Sequence, residues 1–310
     1  MRLVFAGTPS AAVPTLRRLA LEHEIVAVVT RPDAPLGRKR VLTPSPVAQA
    51  AEELGIPIIR AARLDAAATE QILALEPELG VIVAYGGLVR EPLLSGPRAG
   101  WINLHFSLLP AWRGAAPVQR ALIAGDAELG ASVFQLVAEL DAGDVFATEI
   151  VAIPGDATAD VALETLAIAG AALTSDVVAT IADGSARAVA QMGEPTFAAK
   201  LTLEDGALDW TAPVDEIYAR FRGVTPEPGA HTTVGGQRLK ILDAVPAAEA
   251  GSEAAALDPG AIVGTKTSVL IGTGTLPFEV TRVQPAGKAA MSAADWWRGQ
   301  REAEGMRAGS

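Results

Sequence analysis

Asn103, His105 and Ser107 stand at alternate positions at the end of the apolar run GWINLHF (100–106). Side chains along a strand alternate faces, so these three project to one side while Ile102, Leu104 and Phe106 project to the other. An amide and an imidazole then aim at one point. By itself an N-x-H pair at a strand edge is commonly a satisfied structural pair. A second cluster, Leu140-Asp141-Ala142-Gly143-Asp144, offers two carboxylates at a tight turn between GASVFQLVAEL (130–140) and DVFATEIVAI (144–153). Alone it reads as a hairpin connection, because Asp and Gly are common turn residues. His105 changes the weighting. The chain has only three histidines, and a neutral imidazole near a carboxylate can shuttle a proton near physiological pH. Asn, His and Asp lack a nucleophile and a metal set. They suit stabilisation of an oxyanion plus proton transfer, with an external amine attacking.

Such a cluster needs elements that bring strand ends together. RLVFAG (2–7), EIVAVVT (24–30), IPIIR (56–60), LGVIVAY (79–85) and GWINLHF read as strands, with helices over Pro9 to Leu21 and SPVAQAAEELG (45–55). Apolar strands alternating with helices predict a Rossmann-like α/β fold, a doubly wound, mainly parallel sheet covered on both faces. Asn103 and His105 then lie at the carboxyl end of a strand, where such sheets bind ligands. A long Ala-rich helix follows, from about Ala159 to Ala182. Periodicity fades over 184–210. HTTVGGQRLKILDAV (231–245), with Gly235-Gly236 as a hairpin signal, then GAIVGT, SVLIGTG and PFEVTRVQP predict a small C-terminal β-barrel of OB-like type. The expected organisation is a catalytic domain over 1–189, a linker over 190–205 and the barrel over 206–310, with a loose polar tail after Trp297.

The chain has 310 residues, of which 50% are hydrophobic and 20% charged, ample for two cores. It has no cysteine, which excludes disulfides, thiolate nucleophiles and iron–sulfur clusters. The opening MRLVFAGTPS is broken by Gly7 and Pro9, unlike a signal peptide, and no later stretch is expected to reach membrane-spanning length free of charges or turns. A cytoplasmic protein with no membrane partner is expected. A formal charge of −11 opposes non-specific attraction to nucleic acid, so a polyanionic partner must meet a local basic patch. Arg31, Arg38, Lys39 and Arg40, on a loop punctuated by Pro32, Pro35 and Gly37, are such a patch, although charge runs are usually solvated faces. Phe5-Ala6-Gly7-Thr8-Pro9 opens a helix as a nucleotide-binding turn does. It lacks the spaced glycines that admit a pyrophosphate.

The string NLHFSLLPAWRGAAP (103–117), followed by Gly125-Asp126 and LDAGD (140–144), resembles the formyltransferases that use 10-formyltetrahydrofolate. The resemblance covers the whole chain, through FAGTPS, the TRPDAPLGRKR loop, VIVAYGGLV and DGALDW, and is strongest to members acting on methionyl-tRNA. It implies that Asn103 and His105 bond the formyl oxygen, and that Asp141 orients His105 or a water and helps take the proton from the amine. Ser107, Leu108, Leu109 and Pro110 would shape the folate site, with Tyr85, Gly86, Gly87 and Leu88 on a loop bordering it. The basic loop would contact the phosphates of initiator methionyl-tRNA through Arg31, Arg38, Lys39 and Arg40. The barrel would meet the tRNA through a local patch, with Arg220, Arg222, Arg238 and Lys240 as nearest candidates. No metal and a monomer are expected. A sugar-nucleotide N-formyltransferase would share the same catalytic residues, but the basic loop and RGAAP (113–117) favour tRNA. A binding-only role is opposed by the intact Asn–His–Asp set. Removing one preorganised oxyanion donor costs roughly 3–4 kcal/mol of barrier. Asn103→Ala and His105→Ala are therefore expected to lower single-turnover formyl transfer by about two to three decades, and near-parental rates in both would sink these assignments.

Overall fold

Strand β1 (Arg2–Gly7) is buried at every position after Arg2, as expected of a strand inside a sheet with both faces covered. The computed structural model describes residues 1–37, 40–247, 257–300 and 305–309. Two units are formed, one from residues 1–117, 128–153 and 162–199, the other from 118–127, 154–161 and 200–310.

In the first unit β1 is followed by α1 (Val13–Glu22), β2 (Glu24–Thr30), the short hairpin β3 (Ala34–Leu36) and β4 (Val41–Thr43), and α2 (Pro46–Glu53). Then come β5 (Ile58–Arg60), α3 (Ala66–Leu73), β6 (Leu79–Val83), β7 (Trp101–His105), β8 (Arg113–Gly114), α4 (Pro117–Ala124), which from residue 118 on belongs to the second unit, β9 (Leu129–Gln135), β10 (Val145–Val151), α5 (Ala159–Asp183) and β11 (Phe197–Ala198). Helix starts follow ordinary chemistry. Ser45 accepts from the Ala48 amide at 3.0 Å ahead of Pro46, and Asp65 accepts from the Ala68 amide at 3.0 Å. The strands order as β10-β9-β7-β6-β1-β2-β5. Pairs from β7 through β5 are parallel, whereas β9 and β10 run antiparallel. This bears out the mainly parallel Rossmann-like sheet.

Strand β7 is where parallel pairing gives way to antiparallel, with Asn103 opposite Ile82 on one side and Phe134 on the other. Its first residue, Trp101, is fully buried and its indole N–H donates to the Leu93 carbonyl at 2.8 Å. Opposite it stands Gly80, where an added Cβ would come within 2.1 Å of the indole.

Helix α5 is long and apolar enough to cross a membrane, although Asp160, Glu164, Asp176 and Asp183 interrupt its apolar residues, so it is not a spanning stretch free of charges. Its apolarity comes from Leu, Ile and Val, with eight alanines between them adding little bulk. Ala162, Leu166, Ala167, Ala171, Val177 and Val178 are buried, and Gly170 lets the helix approach β7 so closely that a Cβ there would lie 2.8 Å from Leu104. It is built as a sheet-covering helix.

The second unit contains α6 (Val214–Val224), β12 (His231–Val234), β13 (Gln237–Pro246), β14 (Ile262–Gly264), β15 (Val269–Ile271), β16 (Phe278–Pro285), β17 (Met291–Ser292) and α7 (Ala293–Arg298). Its strands pair antiparallel in the order β12-β13-β16-β15-β14, with β17 on β16. Gly235 and Gly236, at φ of 55° and 72°, turn the first hairpin as predicted. Phe278, Phe221 and Trp210 meet in its core. The tail is not loose where it is described. Ala308 bridges Val234 of β12, and Arg307 bridges Ala261 just before β14. The Ala308 amide donates to the Gly260 carbonyl and the Gly309 amide to Thr233, both at 2.8 Å. These bonds join the two edges of the curled sheet. They use backbone groups alone, which is why the polar side chains of the tail gave no sign of them. Two of the candidate tRNA cations are engaged here: Arg220 donates to the Asp205 carbonyl at 3.2 Å, and Arg222 lies 5.2 Å from the Tyr218 ring centre.

Filling the Gly80 gap should strain the strand that carries Asn103 and His105. Overpacking of this kind costs about 1–3 kcal/mol, so Gly80→Ala is expected to lower the urea midpoint accordingly. A midpoint equal to the parent's would show that β6 and β7 can part to admit the methyl.

Candidate active site

His105 is 6% exposed at the end of β7, with Asn103 half-buried two residues earlier on the same face. The imidazole meets the Phe134 ring of β9 edge-on, centroids 6.3 Å apart. Its Nε2 lies 2.8 Å from the Trp112 carbonyl oxygen. A carbonyl only accepts, so Nε2 carries the hydrogen and Nδ1 is left as the basic atom. Nδ1 faces Asp141 Oδ2 at 3.8 Å, just beyond hydrogen-bond reach. The Gly114 amide donates to that same Oδ2 at 2.8 Å. Burial holds the His105 pKa below the ordinary 6.5, while the Asp141 charge and the Trp112 bond pull it back up. At neutral pH the ring is a neutral base facing a carboxylate.

The backbone around the ring is strained. Trp112 and Asp141 adopt φ of 60° and 46°, the left-handed region, which costs about 1–3 kcal/mol for each non-glycine residue. Both are held from outside the catalytic strands. The Trp112 amide donates to Thr196 Oγ1 at 2.9 Å, and the Asp141 carbonyl accepts from Gln191 Nε2 at 2.8 Å. Residues 190–199, which the sequence suggested as the start of a linker, are thus bound into the first unit, where β11 pairs in parallel with β8.

The Ser107–Pro110 segment is a locked turn. Ser107 is buried and its hydroxyl donates to the Ala111 carbonyl at 2.5 Å. Ser132 of β9 donates to the Ser107 carbonyl at 2.7 Å and accepts from the Leu109 amide at 3.2 Å. Leu108, Leu109 and Pro110 are half-buried. These bonds hold their side chains in place as a wall, while the Ser107 hydroxyl serves the turn itself.

Tyr85 to Leu88 form a loop after β6. The Tyr85 hydroxyl, buried and its pKa raised by that burial, donates to the Ala61 carbonyl at 2.7 Å. Gly86 has φ of 74°, and at Gly87 a Cβ would fall 2.5 Å from the Tyr85 ring, so both glycines are required by the path of the chain. Leu88 is exposed. A cavity of about 570 Å³ borders this loop, lined by Arg63, Asp65, Gly86, Gly87, Leu88 and Arg90 among others.

The candidate basic loop divides. Arg31 is spent on the Tyr85–Leu88 loop, donating to the Gly86 carbonyl at 2.8 Å and more weakly to Tyr85 at 3.5 Å. Arg40 is exposed beside the β3–β4 hairpin, and Arg38 and Lys39 lie outside the described residues. The structure therefore brings Asn103, His105 and Asp141 together, with Ser107–Pro110 in the turn just after β7, and sets Arg31 against the 85–88 loop. Trp112, Gly114, Thr196 and Gln191 were not singled out from the sequence. Three of them act through backbone groups or a hydroxyl in an aperiodic stretch, and the RGAAP run (113–117) took in only Gly114.

Residues 1–178 match the family described as formyl transferase, and residues 200–301 match its C-terminal domain. The methionyl-tRNA formyltransferase of Leifsonia xyli subsp. xyli is 61% identical over 299 residues, spanning 96% of this chain and 97% of that protein. Among solved structures, an N-formyltransferase from Helicobacter canadensis, in complex with folinic acid and dTDP-3-aminofucose, superposes with a TM-score of 0.68 at 15% identity, covering 91% of this chain and 98% of that one. The methionyl-tRNA formyltransferase from Clostridium thermocellum gives 0.57 at 17% identity, covering 79% and 93%. At those identities the two structures speak to the fold.

Burial of His105 has a consequence for stability. Its folded-state pKa lies below 6.5, so the unfolded chain takes up that proton first as pH falls. The stability it contributes is complete above the unfolded value and is lost as pH drops below it. His105→Gln is expected to flatten the stability curve between about pH 5 and 7, measured by urea unfolding. A ring titration midpoint above 6.5 by NMR would contradict the assignment.

Proposed function

Because the chain belongs to the formyl transferase family, we propose that it transfers the formyl group of 10-formyltetrahydrofolate to the α-amine of methionine carried by initiator tRNA, in the cytoplasm. The observation that carries this reading is the buried set of Asn103, His105 and Asp141 at the end of β7, in a chain alike over its whole length to a methionyl-tRNA formyltransferase.

The chemistry follows from the atoms present. The amine nitrogen attacks the formyl carbon, a C–N bond forms, and the carbonyl oxygen becomes an oxyanion. The Asn103 carboxamide, half-buried at the strand end, donates to that oxyanion. The attacking nitrogen must lose a proton. With Nε2–H committed to the Trp112 carbonyl, the neutral ring has no hydrogen to give the formyl oxygen, so the oxyanion falls to Asn103 and His105 works as a base through Nδ1, with Asp141 stabilising the imidazolium formed there. As the tetrahedral intermediate collapses, the bond to the tetrahydrofolate N10 breaks and that nitrogen takes up a proton. N-formylmethionyl-tRNA and tetrahydrofolate result. A desolvated imidazole with a lowered pKa stays deprotonated and ready at neutral pH.

For the folate, Leu108 to Pro110 and the Tyr85–Leu88 loop supply apolar walls and backbone groups on either side of the β7 end. The acceptor reading rests on the full-length likeness and on the basic loop, of which Arg38, Lys39 and Arg40 remain the phosphate contacts. Purified protein given 10-formyltetrahydrofolate is expected to formylate initiator methionyl-tRNA strongly, and elongator methionyl-tRNA or an amino-sugar nucleotide weakly or not at all. Transfer to the sugar alone would keep the catalytic set and overturn the acceptor; no transfer to any of the three would overturn the reading.

A further inference from the structure

The side chain of Gln191 uses its full hydrogen-bonding capacity at a single point beside the catalytic turn. Its Nε2 donates to the Asp141 carbonyl at 2.8 Å and to the Gly143 carbonyl at 2.9 Å. Its Oε1 accepts from Arg113 Nε at 3.2 Å and from the terminal guanidinium nitrogen at 2.8 Å. Carbonyls only accept and a guanidinium only donates, so the partners themselves determine which end of the amide is which. Two hydrogens and two lone pairs are all used.

What the amide holds is the part of the site with least freedom. Asp141 sits at φ of 46°. Gly143 has no room for any side chain, since a Cβ there would lie 1.7 Å from the Gln135 carbonyl oxygen. Arg113, buried on the other side, also meets Glu139 at 3.5 Å, and the next amide along, Gly114, is the one that donates to Asp141 Oδ2. One amide therefore ties the Asp141 backbone to the strand that orients the Asp141 carboxylate. The chain that carries it is anchored at both ends. Val189 pairs with Val145, and Thr196 and Ala198 accept from the amides of Arg113 and Ala115 at 2.9 and 2.8 Å.

We propose that Gln191 is a positioning residue for formyl transfer, which fixes the Asp141 turn so that its carboxylate faces His105 Nδ1 and the departing amine proton. This rests on the formyl-transfer reading above. A carboxylate at this position would keep the Arg113 half and turn an oxygen against the Asp141 and Gly143 carbonyls, so Gln191→Glu separates the two halves of the clamp, whereas Gln191→Ala removes both.

Both variants and the parent are to be assayed with 10-formyltetrahydrofolate and initiator methionyl-tRNA, with kcat and KM separated. Binding of 5-formyltetrahydrofolate as an unreactive probe, thermal melts, and NMR titration of the His105 ring in Gln191→Ala run alongside. The expected result is a kcat lowered about ten- to hundredfold in both variants, the loss typical of a misplaced group, with folate binding and melts close to parental. In Gln191→Ala the His105 midpoint should move further down, because the Asp141 carboxylate that faces the ring is no longer held there. Parental kcat in Gln191→Glu would assign the effect to Arg113 and overturn the proposal. A kcat loss that only tracks loss of folded protein in both variants would overturn it too. If the parent itself transfers no formyl group the functional reading fails, and an unmoved His105 midpoint in Gln191→Ala would then overturn the clamp independently.

Discussion

A neutral imidazole buried within 3.8 Å of a carboxylate is the arrangement on which the rest of the first unit depends. Removing both groups from water costs free energy, and an unassisted pair would relax by turning the ring or swinging the acid outward. Neither motion is open. The Trp112 carbonyl holds Nε2–H, which sets both the tautomer and the ring plane, and the Gly114 amide holds Asp141 Oδ2. Those two partners are neighbours in one short segment, so the segment that fixes the base also fixes the acid. Its left-handed residue, Trp112, and the one in the facing turn, Asp141, show that the site is held against local backbone preference by contacts from elsewhere.

The sheet supplies the fixed frame. β7 lies between a parallel and an antiparallel neighbour, so it is an interior strand whose backbone is bonded on both edges. At its carboxyl end the antiparallel partner β9 delivers Ser132, which bonds the Ser107 carbonyl and the Leu109 amide, and Phe134, which packs against the imidazole. An edge strand could not have provided both. Close approach of α5 through Gly170 onto Leu104 covers the opposite face of the same strand, so a helix long and apolar enough to cross a membrane serves to cover the sheet.

The second unit is held by a different means. Its core is ordinary aromatic and aliphatic packing around Phe278, but its edges are joined by the backbone of Arg307 to Gly309. An open sheet would leave two rows of unpaired amides and carbonyls. Backbone pairing of this kind needs no particular side chain, and so leaves little trace in composition or periodicity.

Much was legible from residues alone. Period-two spacing placed Asn103 and His105 on one face of one strand, alternating apolar strands and helices specified a mainly parallel sheet, and Gly235-Gly236 marked a hairpin, because each of these depends on neighbours within a few positions. What tertiary structure alone decided were the pairings between distant segments. Arg31, one of four cations in a loop, is turned onto the carbonyls of Tyr85 and Gly86, 54 and 55 residues away. Gln191, in a stretch with no periodicity, reaches Asp141 and Gly143 across 50 and 48 residues. The sequence by itself determined which groups could do the chemistry and which strand carries them. Which distant amide or guanidinium holds them still was decided only by the folded chain, because a hydrogen bond to a backbone carbonyl places no demand on the type of residue that owns it.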